Sequence, residues 1–283
     1  MPLPGEINVT PVMASGAAPD QGLLMLHGIY GRGRNWSPIA RRLVERRPDW
    51  GVWLADLREH GDSRGFAPPH TVAAAAADIE RHARAAVGFA PGFTRAGDAA
   101  LRAVLGHSFG GKVALALAMP LAGMLDQIWI VDSTPDVRTP DGAAWRMLKA
   151  VRRLPSRFAS RAEAIAGLVG QGFSEGVASW MASNLTHTPN GYEWTLDFDV
   201  MEALLRDFFT TDLWAIVESP PGDLVLHFVK ATQSDTLTEA ACERIEAAGR
   251  SSGRVRVHRV EGGHWLNTDN PAAIIELLAA ELG

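Results

Sequence analysis

A chain of 283 residues, 47% hydrophobic and 21% charged, carries enough apolar material for one large globular domain or one domain with an insertion, which excludes a disordered tail protein. Its 27 basic and 32 acidic side chains leave a formal net charge of -5, so no excess positive field is available to hold a nucleic-acid backbone. The single cysteine, Cys242, can form neither an internal disulfide nor a thiolate zinc site.

The first fifteen residues lack the charged and apolar regions of a secretory signal, which predicts a cytoplasmic location. The longest apolar stretch, Val113 to Leu125, contains Pro120 and falls short of the ~18 residues that cross a bilayer, so no membrane span is expected.

Short runs rich in Leu, Val, Ile and Trp at Leu23–Leu26, Val52–Ala55, Ala103–Leu105, Gln127–Val131, Leu224–Val229 and Val255–Val260 predict strands. Helical spacing between them predicts helices over Trp36–Arg47, Thr71–Val87, Phe109–Met119, Leu237–Ala248 and Ala272–Leu282. Such alternation argues for an α/β fold whose mostly parallel sheet is covered on both faces. Thr236 with Glu239 fits a capping box, and Pro271 after Asn270 fits a first helical turn. The basic run Arg41 to Arg47 reads as a solvated helix face. From Thr134 to about Pro221 the strand rhythm stops and only helical patterns are read, at Ala143–Leu154, Arg161–Val169, Val177–Asn184 and Val200–Phe209. A core of residues 1–133 and 222–283 with a helical insertion over 134–221 is the economical organisation.

The chemistry concentrates at Gly106-His107-Ser108-Phe109-Gly110-Gly111, between a strand and a helix. Gly106-x-Ser108-x-Gly110 is a nucleophile elbow: the tight turn exposes the hydroxyl, and the glycines prevent a clash across it. A serine hydroxyl needs a base to take its proton, and His264, after the last strand and behind Gly262 and Gly263, is the candidate. His107 reads as a packed or hydrogen-bonded structural residue, and His227 and His258 fall inside strands. A carboxylate must orient the imidazole; Asp132 at a strand end is favoured, with Asp235 as the competing choice. Backbone N–H groups of Phe109 and of Ile29, in the His27-Gly28-Ile29-Tyr30-Gly31 loop, are the candidate oxyanion donors. Tyr30, Trp180, Trp194, Phe208 and Trp214 are candidates for lining a substrate pocket, with Phe209, Met147 and Met181 as further apolar contributors; packing within the insertion would use the same residue types.

With these motifs in place the chain resembles the α/β-hydrolase superfamily, and within it the bacterial esterase branch similar to the abhydrolase-domain-11 proteins. The resemblance rests on HGIYGRGRNW, on DLREHGDS at Asp56–Ser63, on GHSFGGK ending at Lys112, on IVDSTP, on Asn184, Leu185 and Trp194, and on GGHW. It implies a mostly parallel eight-stranded sheet with a helical cap, and it supports Asp132, because that branch carries its acid after the sixth strand; Ser234 stands where many other hydrolases have theirs. The activity it implies is metal-free and cofactor-free hydrolysis of a small-molecule carboxylic ester. Thioester hydrolysis, acyl transfer and perhydrolysis use the same residues, and a small-molecule receptor on this fold is the alternative of another class.

Overall fold

The computed structural model describes residues 2–85 and 100–283. The N-terminal half runs through β1 (Val9–Val12), β2 (Gln21–Leu26), α1 (Ser37–Arg46), β3 (Trp50–Ala55), α2 (Val72–Ala85), β4 (Ala100–His107), α3 (Phe109–Ala116) and β5 (Gln127–Val131). An inserted segment follows, with α4 (Gly142–Val151), β6 (Arg157–Phe158), α5 (Arg161–Val169), α6 (Glu175–Ala182), β7 (Leu185–Thr188), β8 (Gly191–Trp194), α7 (Phe198–Thr210) and α8 (Trp214–Glu218). The chain then returns through β9 (Val225–Ala231), α9 (Glu239–Ser252), β10 (Val255–Val260), α10 (Leu266–Asp269) and α11 (Pro271–Glu281). The last two residues of the predicted Thr71–Val87 helix lie outside the described residues.

Among the described residues the main sheet has seven strands in the order β1-β3-β2-β4-β5-β9-β10, parallel except for β1. The expectation of eight strands is therefore corrected to seven. A single four-residue strand precedes β2, and Thr10 and Pro11 lie exposed on that edge, where a missing N–H is tolerated and no apolar run announces a strand. In the central strands alternate residues enter different layers. Leu24, Leu26, Val104, Ile128 and Phe228 pack with Ile79, Val113 and Ile245 of α2, α3 and α9. Leu23, Met25, Leu105, Trp129 and Val229 pack with Leu43 of α1 and Ile274 of α11. Burial on both faces explains the continuous apolar runs.

The inserted segment departs from its purely helical expectation, because β6, β8 and β7 form an antiparallel three-stranded sheet. These strands are two to four residues long, too short to register as apolar runs. Pro189-Asn190 between paired Thr188 and Gly191, with Gly191 at φ 116°, is the turn signal that marks the hairpin. The predicted capping box is also displaced: α9 is capped by Thr238, whose hydroxyl accepts from Ala241 N–H at 3.2 Å. Asn270 caps α11 in front of Pro271 as expected.

Lys112 ties the two parts together. Its buried ammonium donates to the carbonyls of Asp136, Phe208 and Thr211 at 2.8, 2.7 and 2.8 Å, joining α3 to the C-terminal end of α7. Desolvation pushes this amine down to about 8. Arg41, Arg42 and Arg46 are exposed on α1, where Arg46 pairs with Glu276, so the basic run is a solvated helix face. Among the described residues no helix is long and apolar enough to cross a membrane.

Candidate active site

Parallel strands deliver their loops to one edge, and the candidate residues meet at the C-terminal ends of β2, β4, β5, β9 and β10. Ser108 occupies the turn from β4 into α3 with φ 53° and ψ -118°, a strained positive-φ conformation that a residue bearing a side chain adopts only when tightly held. The turn closes because its flanks lack side chains. A Cβ on Gly106 would stand 2.0 Å from the Gly110 carbonyl oxygen, and one on Gly110 would stand 2.4 Å from the His27 carbonyl oxygen. Ser108 N–H donates to the Val131 carbonyl at 3.0 Å, so the turn is registered against the end of β5.

Asp132 follows that strand end, itself at φ 42°, and is fully buried. His264 Nδ1 lies 2.6 Å from Asp132 Oδ2, and His264 Nε2 lies 3.0 Å from Ser108 Oγ. A carboxylate only accepts, so Nδ1 carries the imidazole proton and Nε2 presents its lone pair to the serine hydroxyl. Ser234 Oγ donates to the same Asp132 oxygen at 2.5 Å, and Ala231 N–H reaches the other at 3.3 Å. Ser234 thus supports the carboxylate from the loop after β9. Asp235 is not brought into this chain: it is exposed, and its carbonyl accepts from Arg138 Nη1 at 3.0 Å.

The loop bearing His264 is fastened from three directions. Asn270 Nδ2 donates to the Glu261 carbonyl at 3.0 Å and Gly263 N–H to Asp269 Oδ2 at 3.0 Å. From β4, His107 Nε2 reaches the His264 carbonyl at 2.6 Å, with the two rings 4.7 Å apart. Burial, helped by the neighbouring His264, pushes His107 down to about 3, so the ring is neutral and Nε2 holds its proton to donate. That is the structural role read for it in the sequence.

Neither the Ile29 nor the Phe109 amide donates to a protein acceptor among the described residues. Phe109 opens α3, so its N–H also lies at the positive end of the helix. Ile29 sits in the loop after β2, where Gly28 passes so close that a Cβ on it would stand 3.2 Å from Ser108 Cβ.

Two cavities meet at Ser108 and His264. The narrower, of about 50 Å³, is lined by Tyr30, Met147, Phe173, Val177, Trp180 and Trp265 among others. The wider, of about 570 Å³, is lined by Phe208 and Phe209 but also by Arg138, Asp141, Arg146 and Asp235. Of the pocket candidates, Tyr30, Trp180 and Met147 line the narrower cavity, and Phe208 and Phe209 line the wider one. Trp194 and Trp214 line neither cavity. Trp194 packs between Phe158 and Phe198, and Trp214 donates to Asp136 Oδ1 at 2.7 Å under the Arg244 guanidinium. Met181 is core. Sequence reading missed Phe173, Val177 and Trp265 as lining residues; of these only Trp265 carries a signal, its place directly after His264.

A sheet of this topology, with polar side chains gathered beyond its strand ends and a segment inserted after β5, defines the α/β class of hydrolase folds. A family model described as the alpha/beta hydrolase family matches residues 23–277, and the chain belongs to that family. It is 25% identical to the mouse (Mus musculus) protein named sn-1-specific diacylglycerol lipase ABHD11, over 99% of this chain and 86% of that one. Among solved structures it resembles a marine microorganism esterase, with a TM-score of 0.79 and 20% identity over 97% of this chain and 98% of the other. An E-2-(acetamidomethylene)succinate hydrolase superposes with a TM-score of 0.75 at 18% identity, covering 98% of this chain and 94% of its own. These relatives support a hydrolase, and at such identities the solved structures show the fold alone.

Proposed function

We propose that the protein hydrolyses carboxylic esters through an acyl-enzyme formed on Ser108. The observation that carries this reading is the unbroken hydrogen-bonded chain Ser108 Oγ, His264 Nε2, His264 Nδ1, Asp132 Oδ2, at 3.0 and 2.6 Å, beside two unengaged amides. In the first half-reaction Ser108 Oγ bonds to the ester carbonyl carbon as its proton passes to His264 Nε2. The negative charge then on the carbonyl oxygen is held by the N–H groups of Ile29 and Phe109, and Asp132 stabilises the imidazolium. The C–O bond to the alcohol breaks and His264 returns the proton to the departing oxygen. In the second half water gives a proton to His264, attacks the acyl carbon, and releases the acid with Ser108 restored.

Residues 134–221 act in this reading as a cap over the core of residues 1–133 and 222–283. The narrow, largely apolar cavity suits a short chain on one side of the ester, and the wide mixed cavity suits a larger polar portion on the other.

A fluorophosphonate probe tests the reading directly. Labelling of the wild type, its loss in Ser108→Ala, and a fall of at least about a thousandfold in kcat on a short p-nitrophenyl ester are expected. A serine that neither labels nor turns over esters, in a protein that still binds small ligands tightly, would instead make the fold a receptor.

A further inference from the structure

Tyr30 directly follows the proposed oxyanion donor Ile29 and holds φ 63°, a conformation that costs a tyrosine strain and persists only where its surroundings over-determine it. Those surroundings come from three separate parts of the chain. Tyr30 N–H donates to His60 Nε2 at 3.2 Å, its phenol donates to the Ala144 carbonyl at 3.0 Å, and its carbonyl accepts from Asn184 Nδ2 at 2.8 Å. His60 is buried and kept neutral by desolvation, and its Nδ1 donates to the Arg58 carbonyl at 2.8 Å, which leaves Nε2 as the acceptor that Tyr30 needs.

Asn184 lies between α6 and β7, in the inserted segment, and is buried. Its amide orientation is fixed chemically: Oδ1 faces Arg32 Nε at 3.2 Å, and a guanidinium only donates, so Nδ2 faces Tyr30. Thr195 braces the backbone behind it, its N–H and its hydroxyl each donating to the Asn184 carbonyl at 2.8 Å.

A peptide unit is planar and trans, so its C=O and N–H point in opposite directions. Holding the Tyr30 carbonyl therefore aims the Gly31 N–H, which donates to the Gly28 carbonyl at 3.0 Å. Holding the Gly28 carbonyl in turn aims the N–H of Ile29, the other end of the same peptide. His27 assists from the second side, Nδ1 on the Gly28 carbonyl at 2.7 Å while its Nε2 accepts from Leu57 N–H at 2.9 Å. From these contacts we infer that Asn184 is a positioning residue for ester hydrolysis: through two peptide planes, Tyr30–Gly31 and Gly28–Ile29, joined by a hydrogen bond, the inserted segment sets the direction of the Ile29 N–H. The inference rests on the serine-hydrolase reading above. Under it, the inserted segment completes the oxyanion site as well as covering it.

The test compares Asn184→Leu, which keeps the volume and removes the donor, with Thr195→Val, which loosens the same strut but keeps the Asn184–Tyr30 bond. Active serine is counted by fluorophosphonate titration, so every rate is expressed per competent site. Asn184→Leu is expected to lower kcat about tenfold or more with KM within about twofold, and to weaken a trifluoromethyl ketone transition-state analogue by the same factor as kcat/KM. Thr195→Val is expected to lower Tm while kcat stays within about twofold. Wild-type kcat per titrated serine in Asn184→Leu, or equal kcat losses in both variants, would overturn the assignment. Should Asn184→Leu not fold, amide exchange of the wild type decides: the ketone should slow exchange across both 28–31 and 184–195, and protection confined to 28–31 would refute the coupling. A wild-type serine that never labels sinks the hydrolase reading itself and is recognised before any variant is compared.

Discussion

His107 Nε2 donates a 2.6 Å hydrogen bond to the main-chain carbonyl of His264, so the residue before the proposed nucleophile also fastens the loop that brings the proposed base. One turn thereby sets both partners of the Ser108–His264 contact. Replacing His107 by Phe keeps a ring against His264 but leaves a partly buried carbonyl without its donor, at a cost of about 1 kcal/mol. The expected outcome is a drop in kcat of about tenfold with KM nearly constant, because proton transfer over 3 Å tolerates little misplacement. Steady-state kinetics on a short ester, with circular dichroism to verify folding, checks this; wild-type kcat in a folded variant would reduce His107 to packing.

The two aspartates predict opposite results. Asp132 is buried and bonded to His264, whereas Asp235 is exposed and engaged through its backbone carbonyl. Asp132→Asn removes the acceptor that fixes the imidazole tautomer and should cost about 10³- to 10⁴-fold in kcat, while Asp235→Asn should stay within about twofold. Parallel rate measurements on one ester decide between them, and the reverse order would move the acid to the loop after β9.

Much of the fold and of the candidate site's turn is legible in the sequence, for a physical reason. The central strands are buried on both faces and must be apolar, so Val52–Ala55 and Gln127–Val131 announce themselves, and the glycines at 106 and 110 are demanded by approaches of 2.0 and 2.4 Å. Elements stabilised by pairing at an edge left no such mark: β1 is half exposed, and β7 and β8 carry a Thr-His-Thr and a Tyr-Glu-Trp pattern that reads as loop. Pocket membership was the least legible. Trp180 and Trp194 are equally aromatic members of the inserted segment, yet only Trp180 reaches the cavity beside Trp265, its ring centroid 6.0 Å away. Which face a side chain takes is decided by tertiary packing, which composition does not record.

Acid should unfold the protein through its buried imidazoles. Desolvation, with repulsion from a neighbouring histidine, pushes both His107 and His227 down to about 3, and burial lowers His27, His60 and His258 in the same direction. The unfolded chain binds these protons near pH 6.5, so below that pH it holds more protons than the native state, down to about pH 3 where His107 and His227 are concerned. Stability is therefore full above about pH 6.5 and falls with decreasing pH, by up to ~1.4 kcal/mol per pH unit for each such histidine. His227 isolates one contribution. It stacks on Trp129 with ring centroids 3.9 Å apart, its Nδ1 meets His258 Nε2 at 3.0 Å, and among the described residues its buried Nε2 has no partner, so His227→Phe keeps the stack and removes the titrating group with its contact to His258. Denaturant midpoints measured from pH 7 to 4 should fall less steeply in this variant; an unchanged slope would remove His227 from the acid response.

The narrow cavity limits the chain it can accept, because its volume of about 50 Å³ leaves room for only a few heavy atoms. Met147, almost fully buried on α4, forms part of its wall, whereas Met181 on α6 is buried in the core away from it. Met147→Ala should extend that cavity and raise kcat/KM for an octanoyl relative to a butyryl ester by about tenfold, since each methylene accommodated in an apolar pocket is worth roughly 1–3 kcal/mol at most. Met181→Ala should destabilise the fold by about 2–5 kcal/mol and leave the chain-length preference where it was. A panel of p-nitrophenyl esters of graded length, read alongside Tm for both variants, separates the two effects. Should Met147→Ala shift the preference no more than Met181→Ala, the chain of the ester lies in the wider cavity and the polar portion must be accommodated elsewhere.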